Sequence, residues 1–258
     1  MKKYFKILKF SFLNQLAYPL DFIISIINLT VIAFFVTLFW RIIQGQSDIG
    51  ITSITGYFLV TNGISNVFMI HTQKFGSTLR KTIKSGDLNN YIIKPINVVL
   101  ALYFETLGKR IVEVTVGTIF IIIGINIIDP VSIQSLILFI IACASAMLLG
   151  ISLNLFEGVL TFYTTEPDGI MNVVSHIAKI ASGLWIPLTF FPNSLRSVVE
   201  YSPFAGMLFV PYSTLDSSIS QSKVVSMLLV SFGWAILTLL ILNVYWKKGI
   251  KKYEGIGI

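Results

Sequence analysis

SGDLNNYIIKPIN, residues 85–97, stands between two long apolar runs, Ile54–His71 and Ile111–Ile128. With Gln73, Lys74, Arg80, Lys81 and Lys84 ahead of it, the interval is too polar for lipid, while each flanking run approaches the roughly 20 mostly apolar residues of a transmembrane helix. A wet interval between two spans makes the chain an all-α, polytopic membrane protein. Composition agrees: of 258 residues, 55% are hydrophobic and 12% charged, with mean hydropathy +0.82, whereas a soluble domain carries about a quarter charged residues. Six runs qualify as transmembrane helices: Phe22–Trp40, Ile54–His71, Ile111–Ile128, Ile133–Leu155, Met171–Phe191 and Val224–Trp246. Residues 1–258 read as one membrane domain with no soluble appendage.

Ahead of the first run, Lys2, Lys3, Lys6 and Lys9 alternate with aromatic and aliphatic residues across 1–20, a pattern that predicts an amphipathic interfacial helix. No A-x-A-like site follows the first run, so a cleaved signal peptide is not expected. Placing the N-terminus in the cytoplasm puts 15 of the 19 basic residues on that side, so the positive-inside rule sets both termini and residues 72–109 in the cytoplasm. The net charge of +7 is thereby an orientation signal, and nucleic acid is not an expected partner. Cys143 falls inside an apolar run and has no second cysteine to pair with.

Two intervals are longer than a connection requires. In 72–109, Phe75, Leu79 and Ile83 recur at helical spacing. Gly86 suits a left-handed helix stop, Asp87 a cap for a new short helix, and Pro95 a rigid exit, with Ile96–Gly108 leading into the third span. The second interval, SGLWIPLTFFPNSLRSVVEYSPFAGMLFVPYSTLDSS (182–218), is cut by Pro187, Pro192, Pro203 and Pro211 into apolar pieces too short to cross a bilayer. It predicts a re-entrant segment over 192–222 on the outside, packed against protein or capping a pathway, with Trp185, Tyr201 and Tyr212 near the headgroups.

These two stretches resemble motifs of the permease subunits of type-2 family ABC exporters, in the six-span branch that works with a separate ATPase. SGDLNNYIIKPIN is similar to the branch's cytoplasmic motif, except that Leu88-Asn89 replaces a usually more acidic pair; GLWIPLTFFPNSLRSVVEYSPF (183–204) is similar to its signature after the fifth span. The resemblance implies two permease chains, identical or related, and two ATPase subunits that bind ATP and Mg and push on cytoplasmic coupling elements. The chain has no G-x-x-x-x-G-K-[ST] loop to cradle phosphates, so it is expected to hold no cofactor and to be no enzyme itself. Lys81, Ser85, Gly86, Asp87, Tyr91, Ile92, Lys94 and Pro95 are the expected ATPase-coupling residues. Pro187, Phe191, Pro192, Pro203, Phe204 and Pro211 mark the re-entrant segment. The setting implied is a bacterial plasma membrane, and the cargo an amphipathic drug, peptide or lipid-like molecule.

Polar or large residues within the first, second and fifth spans are candidates for the pathway: Phe34, Thr37, Trp40, Asn62, Asn66 and Lys179. Lys179 has Glu113, Glu157 or a subunit interface as candidate partners. Thr115-Val116-Gly117-Thr118 is a fragment of a potassium-filter pattern, but a helix consumes the carbonyls that a filter exposes. With only His71 and His176 in the chain, no hydrolytic triad or metal site is expected. The competing classes are an ion-coupled transporter or channel, which would show repeats and midplane acids, and an immunity protein that sequesters a peptide without any ATPase.

Overall fold

The computed structural model describes residues 2–17, 19–44, 54–68, 74–128, 130–164 and 166–253. Among the described residues the chain folds as α-helices with one short 3₁₀ turn at Leu188–Phe190. The six predicted runs correspond to α2 (Pro19–Gln44), α3 (Ile54–Val67), α7 (Ile111–Ile127), α8 (Ile133–Thr161), α9 (Pro167–Ala181) and α12 (Gln221–Lys252). Between them lie α1 (Lys2–Leu16), α4 (Lys74–Lys84), α5 (Asn89–Ile92), α6 (Val98–Lys109), α10 (Asn193–Val199) and α11 (Ala205–Ser213). Helices α8 and α12 are each long and apolar enough to cross a membrane, and α6 with α7 would make a third crossing if taken together. Residues 69–73, which hold the end of the second predicted run and His71, lie outside the described residues.

Three boundaries differ from the sequence reading for local reasons. Helix α9 stops at Ala181 rather than continuing to Phe191, because Gly183 takes φ 86°. Its N–H donates to Ile180 O (3.1 Å) and that of Leu184 to Lys179 O (3.0 Å), a Schellman stop. Helix α6 does not run straight into α7: the two meet at 73° across Arg110. Helix α8 continues six residues beyond Leu155 to Thr161.

Two apolar cores organise the described residues. The first gathers α3, α7, the first half of α8, all of α11 and the first half of α12. The second gathers Phe75, Leu79 and Ile83 of α4, Leu88, Leu102 of α6, Leu155 and Val159 of α8, and Leu242 and Trp246 of α12. Within the first core, α3 and α7 lie antiparallel along a seam of glycines. A Cβ on Gly63 would stand 2.6 Å from Gly117 O, and one on Gly56 3.1 Å from Gly124 O, so the backbones touch. Gly117 of the filter-like fragment is therefore a packing residue, and Thr115 and Thr118 spend their hydroxyls on Ile111 O and Val114 O of their own helix. Helix α1 lies along α6, with Gly108 pressed against Leu8 and Ser11, and it exposes Phe5, Phe10, Leu13 and Leu16.

Candidate functional site

The stretch 85–97 folds as a short helix on a braced turn. Gly86 (φ 83°) ends α4, its N–H donating to Ile83 O (3.3 Å) while the Leu88 N–H reaches Thr82 O (3.0 Å). Leu88 is fully buried in the second core, which gives a physical reason for an apolar residue in this place. It also holds the N-cap position of α5 that the sequence reading gives to Asp87. The Asp87 carboxylate instead accepts from Ser85 Oγ (2.6 Å) and Asn90 Nδ2 (3.5 Å), bracing the turn from outside.

Tyr91 turns back toward α6, where its hydroxyl donates to Glu105 Oε2 (2.7 Å) and Lys109 Nζ holds the other oxygen (2.7 Å). Burial, and then the Glu105 carboxylate, raise the Tyr91 pKa well above its ordinary value. Ile92 and Ile93 point away from the chain, 41% and 79% exposed. Lys81, Lys94 and Pro95 are exposed as well. The exit from α5 is fastened by α1: Lys3 Nζ donates to Pro95 O (3.0 Å) and the Asn97 N–H to Tyr4 Oη (3.0 Å). Asn97 then caps α6 by accepting from the Leu100 N–H (3.0 Å), a signal legible as Asn before an apolar run.

The proline-cut interval 182–218 is secured by three side-chain donors from three helices. Tyr57 Oη of α3 donates to Gly183 O (2.7 Å), Trp40 Nε1 of α2 to Trp185 O (2.8 Å) and Trp234 Nε1 of α12 to Tyr201 O (3.0 Å). Each satisfies a carbonyl that irregular backbone leaves open. Pro187 and Pro192 precede the 3₁₀ turn and α10; Phe191 and Phe204 pack against the first core; Pro203 lies in the turn before α11. All nine residues of α11, Pro211 included, are buried by α3, α8 and α12. Trp185 and Tyr201 are part-exposed, but Tyr212 is 1% exposed and meets Tyr57 edge-on at 4.5 Å between centroids, so its expected place among headgroups is corrected to the core. Sequence reasoning missed Glu200, which is 1% exposed and lies between Arg196 Nε (2.6 Å) and Lys223 Nζ (2.5 Å); the Arg196–Glu200 spacing of four was the available signal.

Among the described residues, the pathway candidates do not line one common cavity. Phe34 is 59% exposed on α2, and the side chain of Thr37 lies outside the described part of the structure. Trp40 stacks on Phe58, meets the Phe190 ring at a tilt and donates to the segment that follows α9. Asn62 and Asn66 donate to Phe58 O (2.8 Å) and Asn62 O (2.9 Å) of their own helix. Lys179 lies over the Trp185 ring at 5.2 Å. The carboxylates considered for it go elsewhere: Glu113 pairs with Arg110 at the α6–α7 bend (3.4 Å), and Glu157 with Arg80 (3.7 Å), which also contacts Asp168. An apolar cavity of about 500 Å³ opens between α8, α11 and α12, lined by Leu153, Phe156, Phe204, Met207 and Ile241.

No curated protein matches the chain. A model of the ABC-2 family transporter proteins matches residues 22–257, nearly the whole length and both motif stretches, and the chain therefore belongs to the ABC-2 transporter family, as a membrane subunit of an ABC-type transporter.

Proposed function

We propose that this subunit is one of two permease chains of an exporter that moves an amphipathic drug, peptide or lipid-like molecule out across a bacterial plasma membrane. In this reading six spans cross the bilayer, both termini are cytoplasmic, and separate ATPase subunits bind ATP and Mg. The observation that carries it is the pair Ile92 and Ile93, exposed at the tip of a four-residue helix whose base, Leu88, is clamped in the second core. Exposed aliphatic side chains on a braced projection suit burial by a partner. A push on α5 passes through Leu88 to α4, and through the second core to the far ends of α8 and α12. That route differs from a simple tilt of the spans flanking 72–109.

The exposed apolar faces of α2 (Ile27, Phe34, Phe35) and α9 (Val173, Ile177) suit a second permease chain, with the cargo path between the two. The test is capture and transport. The parent chain, solubilised gently with its cognate ATPase, should retain that subunit, and the Ile92→Asp/Ile93→Asp variant should lose both the subunit and ATP-dependent efflux. Efflux that persists with a hydrolysis-dead ATPase would refute the proposal in favour of ion coupling.

A further inference from the structure

A groove of about 660 Å³ runs between α1, the α5 exit and α6; it takes in Tyr91 and Lys94 of the expected coupling residues but not the exposed tip, Ile92 and Ile93. Four lysines line it: Lys3, Lys6, Lys94 and Lys109. The carboxylate in the lining is Glu105, whose two oxygens are already taken by Tyr91 and Lys109. Four ammoniums against one occupied carboxylate leave a strong excess of positive charge. The remaining wall is partly apolar, with Ile7, Phe10 and Ile96. A groove of this size falls within the roughly 300–1,000 Å³ of small-molecule sites.

Position narrows the ligand. Helix α1 ends at Leu16, and α2, 26 residues rich in aliphatic and aromatic side chains, begins at Pro19, so the groove lies within one short helix of a membrane segment. Helix α6, its other wall, is bent 73° from α7. If α7 runs across the bilayer, α6 and the α1 packed on it lie near the membrane plane, at headgroup depth. A ligand that combines a phosphate with apolar chains, and is abundant at that depth, matches both halves of the lining.

We infer that this groove binds the headgroup of an anionic phospholipid, its phosphate held by Lys3, Lys6, Lys94 and Lys109 and the start of its chains laid along Ile7, Phe10 and Ile96. The bound lipid ties α1 to the exit of α5, beside the Lys3–Pro95 bond. No ATPase takes part in this binding, so it stands or falls separately from the proposed export.

The test is native mass spectrometry of the full chain in detergent, offered phosphatidylglycerol or phosphatidylcholine. Phosphatidylglycerol should be retained at least ten-fold better. The Lys6→Gln/Lys94→Gln variant, which leaves the hydrogen bonds of Lys3 and Lys109 intact, should lose about 25-fold in that retention, at about five-fold per juxtamembrane lysine. Lys247→Gln/Lys248→Gln, far along α12, should retain the parental preference, and circular dichroism should show all variants equally helical. Equal retention of the two lipids, or an unchanged preference in Lys6→Gln/Lys94→Gln, overturns the inference. Full displacement of the lipid by inorganic phosphate would also overturn it, showing a site for a free anion.

Discussion

Adding one methyl group to Gly63 should destabilise the protein, whereas adding the same group to Gly233 should not. On Gly63 the new Cβ would lie 2.6 Å from Gly117 O, 2.6 Å from Ile121 Cγ1 and 3.0 Å from Ile121 N. Two of those three atoms are backbone of α7, so relief requires α3 and α7 to separate. Overpacking of this kind costs about 1–3 kcal/mol or more, against a gain of about 1 kcal/mol in helix propensity. Gly233, inside α12, has nothing within 4 Å of its Cβ position and receives only the gain. The gain is common to both, so the two variants should differ by the overpacking cost, about 1–3 kcal/mol, or roughly 2–12 °C in midpoint at 2–4 °C per kcal/mol. Thermal unfolding in one detergent, followed by far-ultraviolet circular dichroism, measures the difference. A Gly63→Ala protein as stable as Gly233→Ala would show that the seam is not closed.

Tyr57→Phe strands the Gly183 carbonyl and should cost about 1–3 kcal/mol by thermal unfolding, with faster proteolysis between 183 and 204. Leu88→Ala, a truncation of a fully buried side chain in the second core, should cost about 2–5 kcal/mol and should also weaken ATPase capture. Arg80→Met leaves the buried Glu157 without that cation and should destabilise by about 3–5 kcal/mol, with part of the loss recovered in Arg80→Met/Glu157→Gln. Because the folded pKa of Tyr91 lies above the unfolded value of 10.0, the stability it confers is complete below pH 10 and is lost as pH rises beyond it. Ultraviolet absorbance titration should show the parent forming the same amount of tyrosinate by pH 10 as Tyr91→Phe.

Local signals were legible where local chemistry decides. Ile111 and Ile133 begin α7 and α8 where the apolar runs begin, and both glycines with positive φ among the described residues, Gly86 and Gly183, lie in the two stretches singled out from sequence. What escaped depends on partners far along the chain. Tyr212 reads as interfacial beside Pro211, yet Tyr57, distant in sequence, buries it. The 73° bend at Arg110 could not be read from Lys109-Arg110, since the α1 that lies along α6 is fixed by tertiary packing. Tyr91 resembles Ile92 and Ile93 as an apolar exposed residue until Glu105, fourteen positions on, claims its hydroxyl.

Helices α8 and α12 have 29 and 32 residues, about 44 and 48 Å at 1.5 Å per residue, and each is rooted in both cores. If an ATPase docks on α5 as proposed, each would serve as a stiff lever with its handle in the second core, beside Leu88, and its load in the first, against the buried α11. A rotation of about 5° at the handle moves the far end of a 48 Å rod by about 4 Å. Displacements imposed at Leu88 by such docking would therefore arrive enlarged at α11 and the first core, and stiffness along these two rods would govern how much of each stroke is delivered.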